Sequence, residues 1–384
     1  MACSILLLAA VPLLYACIRI ETKSISECSE NSTTSDGTSN SSELQEYFDE
    51  ANDSDANERI LRGRYARKGE IPFVVALSNA ADQSYCGGSI MSNYYVLTAC
   101  HCVAKSATDV EGKPILVPKS YENFRVIAGS LSRNPPEDQG YQLRWVFHWF
   151  HHPQCEMNNY GEIIYDAGII KVTEQFHWTE CVQPAKIPTQ PQNFSVFVDT
   201  LIEVDHQCYA AGWGATVTKL VDFETPLGTH QIKEKVLNVS RYLKTLDSEL
   251  LHSRVCYKAK LCKYVGDLIQ KNACVKKLRQ NGTPRLCAWS RSPGNGTTCF
   301  GDSGGPLVCN GFLIGLVSYG ARCYPMNEPV VFTRVDKIFP FIARYYYASA
   351  WYSLRMRASL LDVSRTVLLF TAAHAAFQLS DSFS

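Results

Sequence analysis

Three residues far apart in the chain have types and settings that suit nucleophilic catalysis: His101 in YYVLTACHC, Asp166 in YDAGIIKV and Ser303 in CFGDSGGPLVC. A neutral serine hydroxyl attacks poorly until a base removes its proton, and an imidazole can take that proton and return it to a leaving amine. A carboxylate behind the imidazole fixes its tautomer and stabilises the imidazolium that forms. The chemistry implied is acyl transfer.

Gly301, Ser303 and Gly305 also satisfy the G-x-S-x-G elbow of α/β-hydrolases, whose partners follow in the order serine, acid, histidine. Chain order decides between the two frameworks. Downstream of Ser303 the only histidine is His374, in the C-terminal tail, so the usable order is His101, Asp166, Ser303.

Elements able to position these residues recur from Ile60 onward as short apolar runs between turn signals: IPFVVALS, GGSIMSNYYVLTA, FRVIAGS, AGIIKV, CYAAGWGATV, KVLNVS, GFLIGLVSYG and VVFTRV. Many short strands with almost no long helical period predict an all-β barrel or sandwich. Residues 241–275 are the exception, where LKTLDSELLHSRV and CKYVGDLIQK are expected to be helical. A final helix is expected in IARYYYASAWY.

The 384 residues are 46% hydrophobic and 19% charged with net charge zero, which is ordinary for a globular chain and gives no basis for nucleic-acid binding. Residues 1–20 contain ILLLAAVPLLYAC, too short to span a bilayer comfortably, and are expected to be a secretory signal peptide rather than a membrane anchor. Residues 21–59, rich in Ser, Thr, Asn, Asp and Glu, are expected to form a disordered pro-segment. Residues 60–352 form the expected catalytic domain, and 353–384 a tail of unknown role, read as a surface or partner helix. Sixteen cysteines and seven N-x-S/T sequons, at Asn31, Asn40, Asn52, Asn193, Asn238, Asn281 and Asn295, agree with a secreted, extracellular glycoprotein.

From Ile60 to about Tyr352 the chain resembles the trypsin/chymotrypsin-type secreted serine proteases. The resemblance rests on ERILRG with GEIPFVVAL, SYCGGSI with LTACHC, DAGIIKV, CYAAGWG, CFGDSGGPLVC, and LVSYG with VVFTRV, in the family's order. It implies two perpendicular antiparallel six-stranded β-barrels with a C-terminal helix and the site between the barrels. It also implies a triad of His101, Asp166 and Ser303, with the N–H groups of Gly301 and Ser303 facing the oxyanion. Asp302, an acid buried beside the nucleophile, needs a cationic partner. By resemblance, cleavage after Arg59 frees the amine of Ile60 to pair with it, so the chain is a zymogen; Arg62 departs from the family's glycine there.

The resemblance places Thr297 at the floor of the primary pocket, Thr298 beside it, and Gly320 and Val330 on its walls. An uncharged floor cannot offset desolvation of a cation, and a β-branched wall removes depth. Small to medium apolar side chains before the scissile bond are therefore expected, as in elastase-like members, with large aromatics as the alternative. Such an enzyme should not cleave after its own Arg59, so an upstream trypsin-like activating protease is expected. Ser318 and Gly320 are expected to pair with substrate backbone as an added strand, beside Tyr319, which stands where tryptophan is usual.

The implied disulfides are Cys86 with Cys102, Cys208 with Cys309, Cys299 with Cys323, and Cys274 with Cys287, with Cys256 and Cys262 as rival partners for Cys287 because the region before it is longer than the family norm. Of the rest, Cys28 with Cys181 would tether the pro-segment and Cys256 with Cys262 would close a small loop, while Cys100 reads as a buried small hydrophobe or a thiol beside His101. His148, His151 and His152 in FHWFHHP lack ligand spacing and read as a strand, so no metal or cofactor is expected. A glycan at Asn295 would restrict the pocket. Expected partners are protein or peptide substrates, the activating protease and a protein inhibitor, without a membrane. The alternative function is a catalytically inactive homologue acting as a binding module or cofactor.

Overall fold

Apolar alternation between turns produces strands first. A computed structural model describes residues 63–345 apart from 80–83, 109, 112–113, 136–139, 158–161, 189, 225–229, 263–265, 292–295 and 321–327. The strands Val74–Asn79, Ser84–Ser92, Tyr95–Thr98, Phe124–Ala128, Gln142–His151 and Gly168–Val172 pair antiparallel into a closed barrel. The second barrel takes Gln207–Gly212, Lys244–Leu250, Arg285–Ser290, Pro306–Cys309, Phe312–Tyr319 and Val330–Arg334, closed by pairing of Lys244–Leu250 with Arg285–Ser290. The predicted pair of six-stranded antiparallel barrels is the observed architecture. Closure pairs the end strands of each barrel, and the two-residue strand Arg64–Tyr65 joins the second sheet on Lys244–Leu250.

FHWFHHP lies mostly in the strand Gln142–His151, the element expected for it. His152 is buried and its ring stacks on Tyr165, the centroids 4.8 Å apart. A helix begins at residue 339 and buries Phe341 and Ile342. The rest of the expected C-terminal helix, the signal and pro-segments, Arg59, Ile60 and the tail lie outside the described residues.

The expected helix in LKTLDSELLHSRV is instead mostly the strand Lys244–Leu250. Leu246, Ser248 and Leu250 are buried while Asp247 is exposed, a period of two that the leucine spacing masked. CKYVGDLIQK holds the start of a helix, Leu268–Asn281, capped by the Asp267 carboxylate, which accepts from Gln270 N at 2.9 Å. A helix not anticipated, Pro191–Glu203, starts with proline in its first turn and buries Phe194, Val198, Leu201 and Ile202 along one face. Arg334 of the last barrel strand reaches Asp199 of that helix at 2.7 Å and Asp336 at 2.9 Å.

Disulfides Cys86–Cys102 and Cys208–Cys309 form as expected. Cys287 pairs with Cys256 rather than Cys274, and Cys262 pairs with Cys274 rather than Cys256. The reason is the fold of the 253–281 segment: a short helix, Ser253–Cys256, lies against the strand holding Cys287, and Cys274 sits mid-helix opposite Cys262, with Cα separations of 5.5 and 6.1 Å. Cys100 is neither a free thiol nor a simple hydrophobe, because it bonds Cys155. Cys181 and Cys299 are also disulfide-bonded. Their expected partners, Cys28 and Cys323, lie outside the described residues.

Candidate active site

The site is built where the barrels meet. His101 sits on a one-turn helix, Cys100–Val103, directly after the strand Tyr95–Thr98, while Asp166 precedes the strand Gly168–Val172 that pairs with it. That pairing brings the two residues together. His101 Nδ1 lies 2.8 Å from Asp166 Oδ2, and the backbone N–H of His101 donates to Asp166 Oδ1 at 3.0 Å. Ser318, from the second barrel, donates its hydroxyl to Asp166 Oδ2 at 2.6 Å, and Thr333 donates to the Asp166 carbonyl at 3.0 Å.

The Asp166 side chain is fully buried. Burial alone pushes its carboxyl up, but the imidazole beside it and hydrogen bonds from His101 and Ser318 outweigh that and hold it below the usual carboxylate range. It therefore stays ionised at neutral pH, as an orienting base partner must. Tyr165, immediately before it, has φ 52°, a left-handed backbone held by a bond from Ala167 N to its own carbonyl and by the stacked His152.

His101 is clamped on its other sides. Lys119 donates to the His101 carbonyl at 2.7 Å, and buried Trp149 donates to the Lys119 carbonyl at 2.9 Å. Disulfides Cys86–Cys102 and Cys100–Cys155 staple the residues on both sides of the histidine. The Cys100 and Cys155 sulfurs and an Asp166 carboxylate oxygen lie within 4.8 Å of one another. The base and its orienter thus share one covalently braced corner.

Ser303 comes from the second barrel. Gly87 of the first barrel donates to the Ser303 carbonyl at 2.8 Å, and Cys102 Sγ lies 3.6 Å from that oxygen, so the serine is seated against the residue that follows His101. The turn depends on its glycines. Gly301 has φ 97° and Gly304 φ 78°, and a Cβ at 304 would meet Thr98 Oγ1 at 2.2 Å. The Asp302 and Gly304 N–H groups are committed to Cys299 and Val317 carbonyls. The Phe300 carbonyl accepts from Ala215 N at 2.7 Å. A planar trans peptide then turns the Gly301 N–H away from Ala215.

Asp302 is fully buried, accepting from Gly214 N at 2.8 Å and Cys299 N at 2.9 Å. Burial pushes its carboxyl up to about 6 against the pull of these two N–H groups and the charge of Lys244. Here the CYAAGWG motif has a role that its sequence did not reveal. A Cβ on Gly212 or Gly214 would come within 2.2 Å of an Asp302 oxygen, so both glycines make room for the carboxylate.

Thr297, Thr298 and Val330 line one cavity of about 110 Å³ together with Trp289 and Ser290. Gly320 faces Val330, since a Cβ at 320 would lie 3.9 Å from Val330 Cγ2. Ser318 turns its hydroxyl to Asp166, and the Tyr319 hydroxyl, which burial pushes up to about 12, accepts from Arg285 at 3.0 Å. Sequence reasoning named three residues of this cavity and missed the others, a charged one among them. Glu328, two positions before Val330, also lines it and pairs with Lys260 at 2.7 Å. An acid just ahead of the wall strand was the available signal.

Two closed barrels bearing an imidazole–carboxylate pair on one and a glycine-flanked serine on the other define a chymotrypsin-like serine peptidase. The profile described as Trypsin matches residues 60–240 and 251–342, and the chain belongs to that family. The break at 241–250 contains the strand Lys244–Leu250. Among relatives, Chymotrypsin-2 of Vespa crabro is 31% identical over 287 residues, spanning 74% of this chain and 99% of that protein. Kallikrein 1-related peptidase b27 of Mus musculus is 28% identical over 288 residues, 73% of this chain and 86% of its own length. Among solved structures, neuropsin, a serine protease expressed in the limbic system of mouse brain, shares the fold with TM-score 0.51 and 22% identity over 74% of this chain and 98% of its own.

Proposed function

We propose that the protein is a secreted, zymogen-type serine endopeptidase that is cleaved after Arg59 and prefers small to medium apolar residues before the scissile bond. The observation that carries this reading is the His101–Asp166 pair, a fully buried carboxylate 2.8 Å from an imidazole whose neighbour Cys102 abuts the Ser303 carbonyl. In the first step His101 takes the Ser303 hydroxyl proton as the oxygen attacks the substrate carbonyl, and Asp166 stabilises the resulting imidazolium. The N–H groups of Gly301 and Ser303 receive the oxyanion, and loss of one such donor typically costs about 3 kcal/mol of barrier. His101 then hands its proton to the departing amine, and water hydrolyses the acyl-enzyme by the same route.

Asp302 supports the zymogen reading. In the intact chain the Ile60 nitrogen is an uncharged peptide N–H, and Asp302 is a buried carboxyl pushed up to about 6. A new α-amino group at Ile60 would supply the cation that a buried carboxylate requires. Thr297, Thr298 and Val330 around the cavity support an apolar preference. Twelve half-cystines among the described residues and the exposed sequon residues Asn193 and Asn238 support export and glycosylation. Protein or peptide substrates, a separate activating protease and a protein inhibitor are the partners this implies.

Arg59-cleaved protein should react stoichiometrically with a fluorophosphonate probe, and Ser303→Ala should abolish labelling. Absence of labelling in the cleaved wild type would sink the enzymatic reading. A peptide library then reads the preferred side chain.

A further inference from the structure

A second-barrel arginine, Arg285, reaches the segment of the first barrel that carries Asp166. Its Nη1 donates to the Tyr319 hydroxyl at 3.0 Å and lies 3.5 Å from a Glu162 carboxylate oxygen, with side-chain exposures of 7% for the arginine and 14% for the acid. Its Nε donates to the Thr283 hydroxyl at 3.5 Å. Glu162 lies between the first-barrel strands Gln142–His151 and Gly168–Val172, shortly before Asp166. The neighbours of Arg285 reach the same segment. Thr333, its cross-strand partner, donates to the Asp166 carbonyl, and Ser318, directly before Tyr319, donates to the Asp166 carboxylate. Tyr319 therefore leaves a second-barrel strand beside the triad and ends with its hydroxyl on a guanidinium that a first-barrel acid also holds. Its ring packs on the cluster that includes Tyr257, Leu261 and Val331, yet the residue stays half-buried.

We propose that Arg285 is a positioning residue for substrate binding, tying the Tyr319 hydroxyl to the first barrel and so fixing the ring as a wall for the residues upstream of the scissile bond. This rests on the reading of Ser318 and Gly320 as the strand that pairs with substrate backbone. Gly320 is exposed and Tyr319 half-buried, so a peptide lying along that strand meets both. An aromatic ring already held in place loses little freedom when a peptide docks on it, which favours binding. With its hydroxyl committed to a cation, the ring offers upstream side chains an apolar face.

The test uses full-length protein cleaved after Arg59 and two substrates, an ester of a single blocked alanine and the same ester extended upstream by three apolar residues. Arg285→Met is expected to raise the KM of the extended ester about tenfold relative to that of the short one, the scale of one hydrogen bond from a charged donor, while the ratio of the two kcat values stays as in the wild type. Tyr319→Phe, which keeps the ring and removes the hydroxyl, is expected to raise the same KM ratio about threefold. Because the two residues act through one bond, the double variant Arg285→Met/Tyr319→Phe should be no worse than Arg285→Met alone. Arg285→Lys should recover part of the loss. A merely structural arginine would lower turnover of both esters alike, and its loss would add to that of the tyrosine hydroxyl.

If Arg285→Met does not fold, Tyr319→Phe and Arg285→Lys carry the test. An unchanged KM ratio in the variants that fold, or fully additive losses in the double variant, overturns the proposal. A wild type that gains nothing from the upstream residues removes the reading of Ser318 and Gly320, and the proposal with it. Should the fluorophosphonate probe fail to label the wild type, the enzymatic reading falls and binding decides the strut. The extended peptide, as its amide, is titrated by calorimetry into cleaved Ser303→Ala protein: affinity about tenfold weaker on adding Arg285→Met supports the proposal, and unchanged affinity overturns it.

Discussion

Two aspartates, one bordering each barrel's share of the site, are equally buried and titrate in opposite directions. Asp166 carries an imidazole at 2.8 Å, a serine hydroxyl at 2.6 Å and a backbone N–H at 3.0 Å, and its carboxyl is held low. Asp302 carries only two backbone N–H donors within hydrogen-bond reach among the described residues, and burial pushes it up to about 6. The difference is one of partners, since a buried carboxylate is stabilised by the groups it is given. The first barrel presents a finished base and orienter in the intact chain. The second presents a carboxyl waiting for charge.

The largest expected effect breaks the finished side. Asp166→Asn should cost about 10⁴-fold in kcat of the cleaved enzyme, because the imidazole loses its tautomer control and its counter-charge. A loss under tenfold, measured with a fluorogenic peptide, would mean the orienting role lies elsewhere. Next comes the brace. Cys100→Ala/Cys155→Ala opens a bridge of 55-residue separation, for which loop closure predicts about 4 kcal/mol of lost stability, checked by the denaturant midpoint and slope.

On the waiting side, Asp302→Asn should lower kcat/KM of the cleaved enzyme about 10²-fold to 10³-fold, comparable to losing an oxyanion donor. The same substitution should change the pH profile of the intact protein. Because the folded Asp302 carboxyl lies above its ordinary 3.8, the folded state holds more protons between about 4 and about 6. Stability from this group is therefore present at low pH and declines as pH rises through about 6. Thermal melts of intact Asp302→Asn between pH 4 and 7 should lack that decline, and so should cleaved wild type once an amine holds the carboxylate ionised. Asp166 contributes with the opposite sign, its stability present above 3.8 and lost as pH falls through its lowered folded value. The smallest effect belongs to Ser318→Ala, which removes one of the donors to the Asp166 carboxylate and should cost about tenfold in kcat/KM.

The two barrels also differ in how much of them could be read from residues alone. The strands Val74–Asn79, Ser84–Ser92 and Gly168–Val172 coincide with IPFVVALS, SYCGGSI and AGIIKV to within three residues at either end, because short apolar runs between turns are the segments that end up buried there. His101, Asp166 and Ser303 were legible because each sits in a motif of fixed local geometry. Lys244–Leu250 was not, since leucines at 243, 246 and 250 fit a helical period as well as the strand that tertiary pairing selects. The pairings of Cys100, Cys256 and Cys274 depend on distances between elements remote in sequence, which residue types do not encode. Glu328 was open to notice as an acid just ahead of the wall strand, but its pairing with Lys260, 68 residues upstream, was not.

The four-residue helix carrying His101 is riveted on either side, through Cys102 to the strand behind it and through Cys100 to the segment ahead of Asp166. An engineer seeking new selectivity should accordingly leave that helix alone and diversify the cavity of the second barrel, where Thr297, Thr298 and Val330 can be exchanged without disturbing the bolts that hold the proton shuttle.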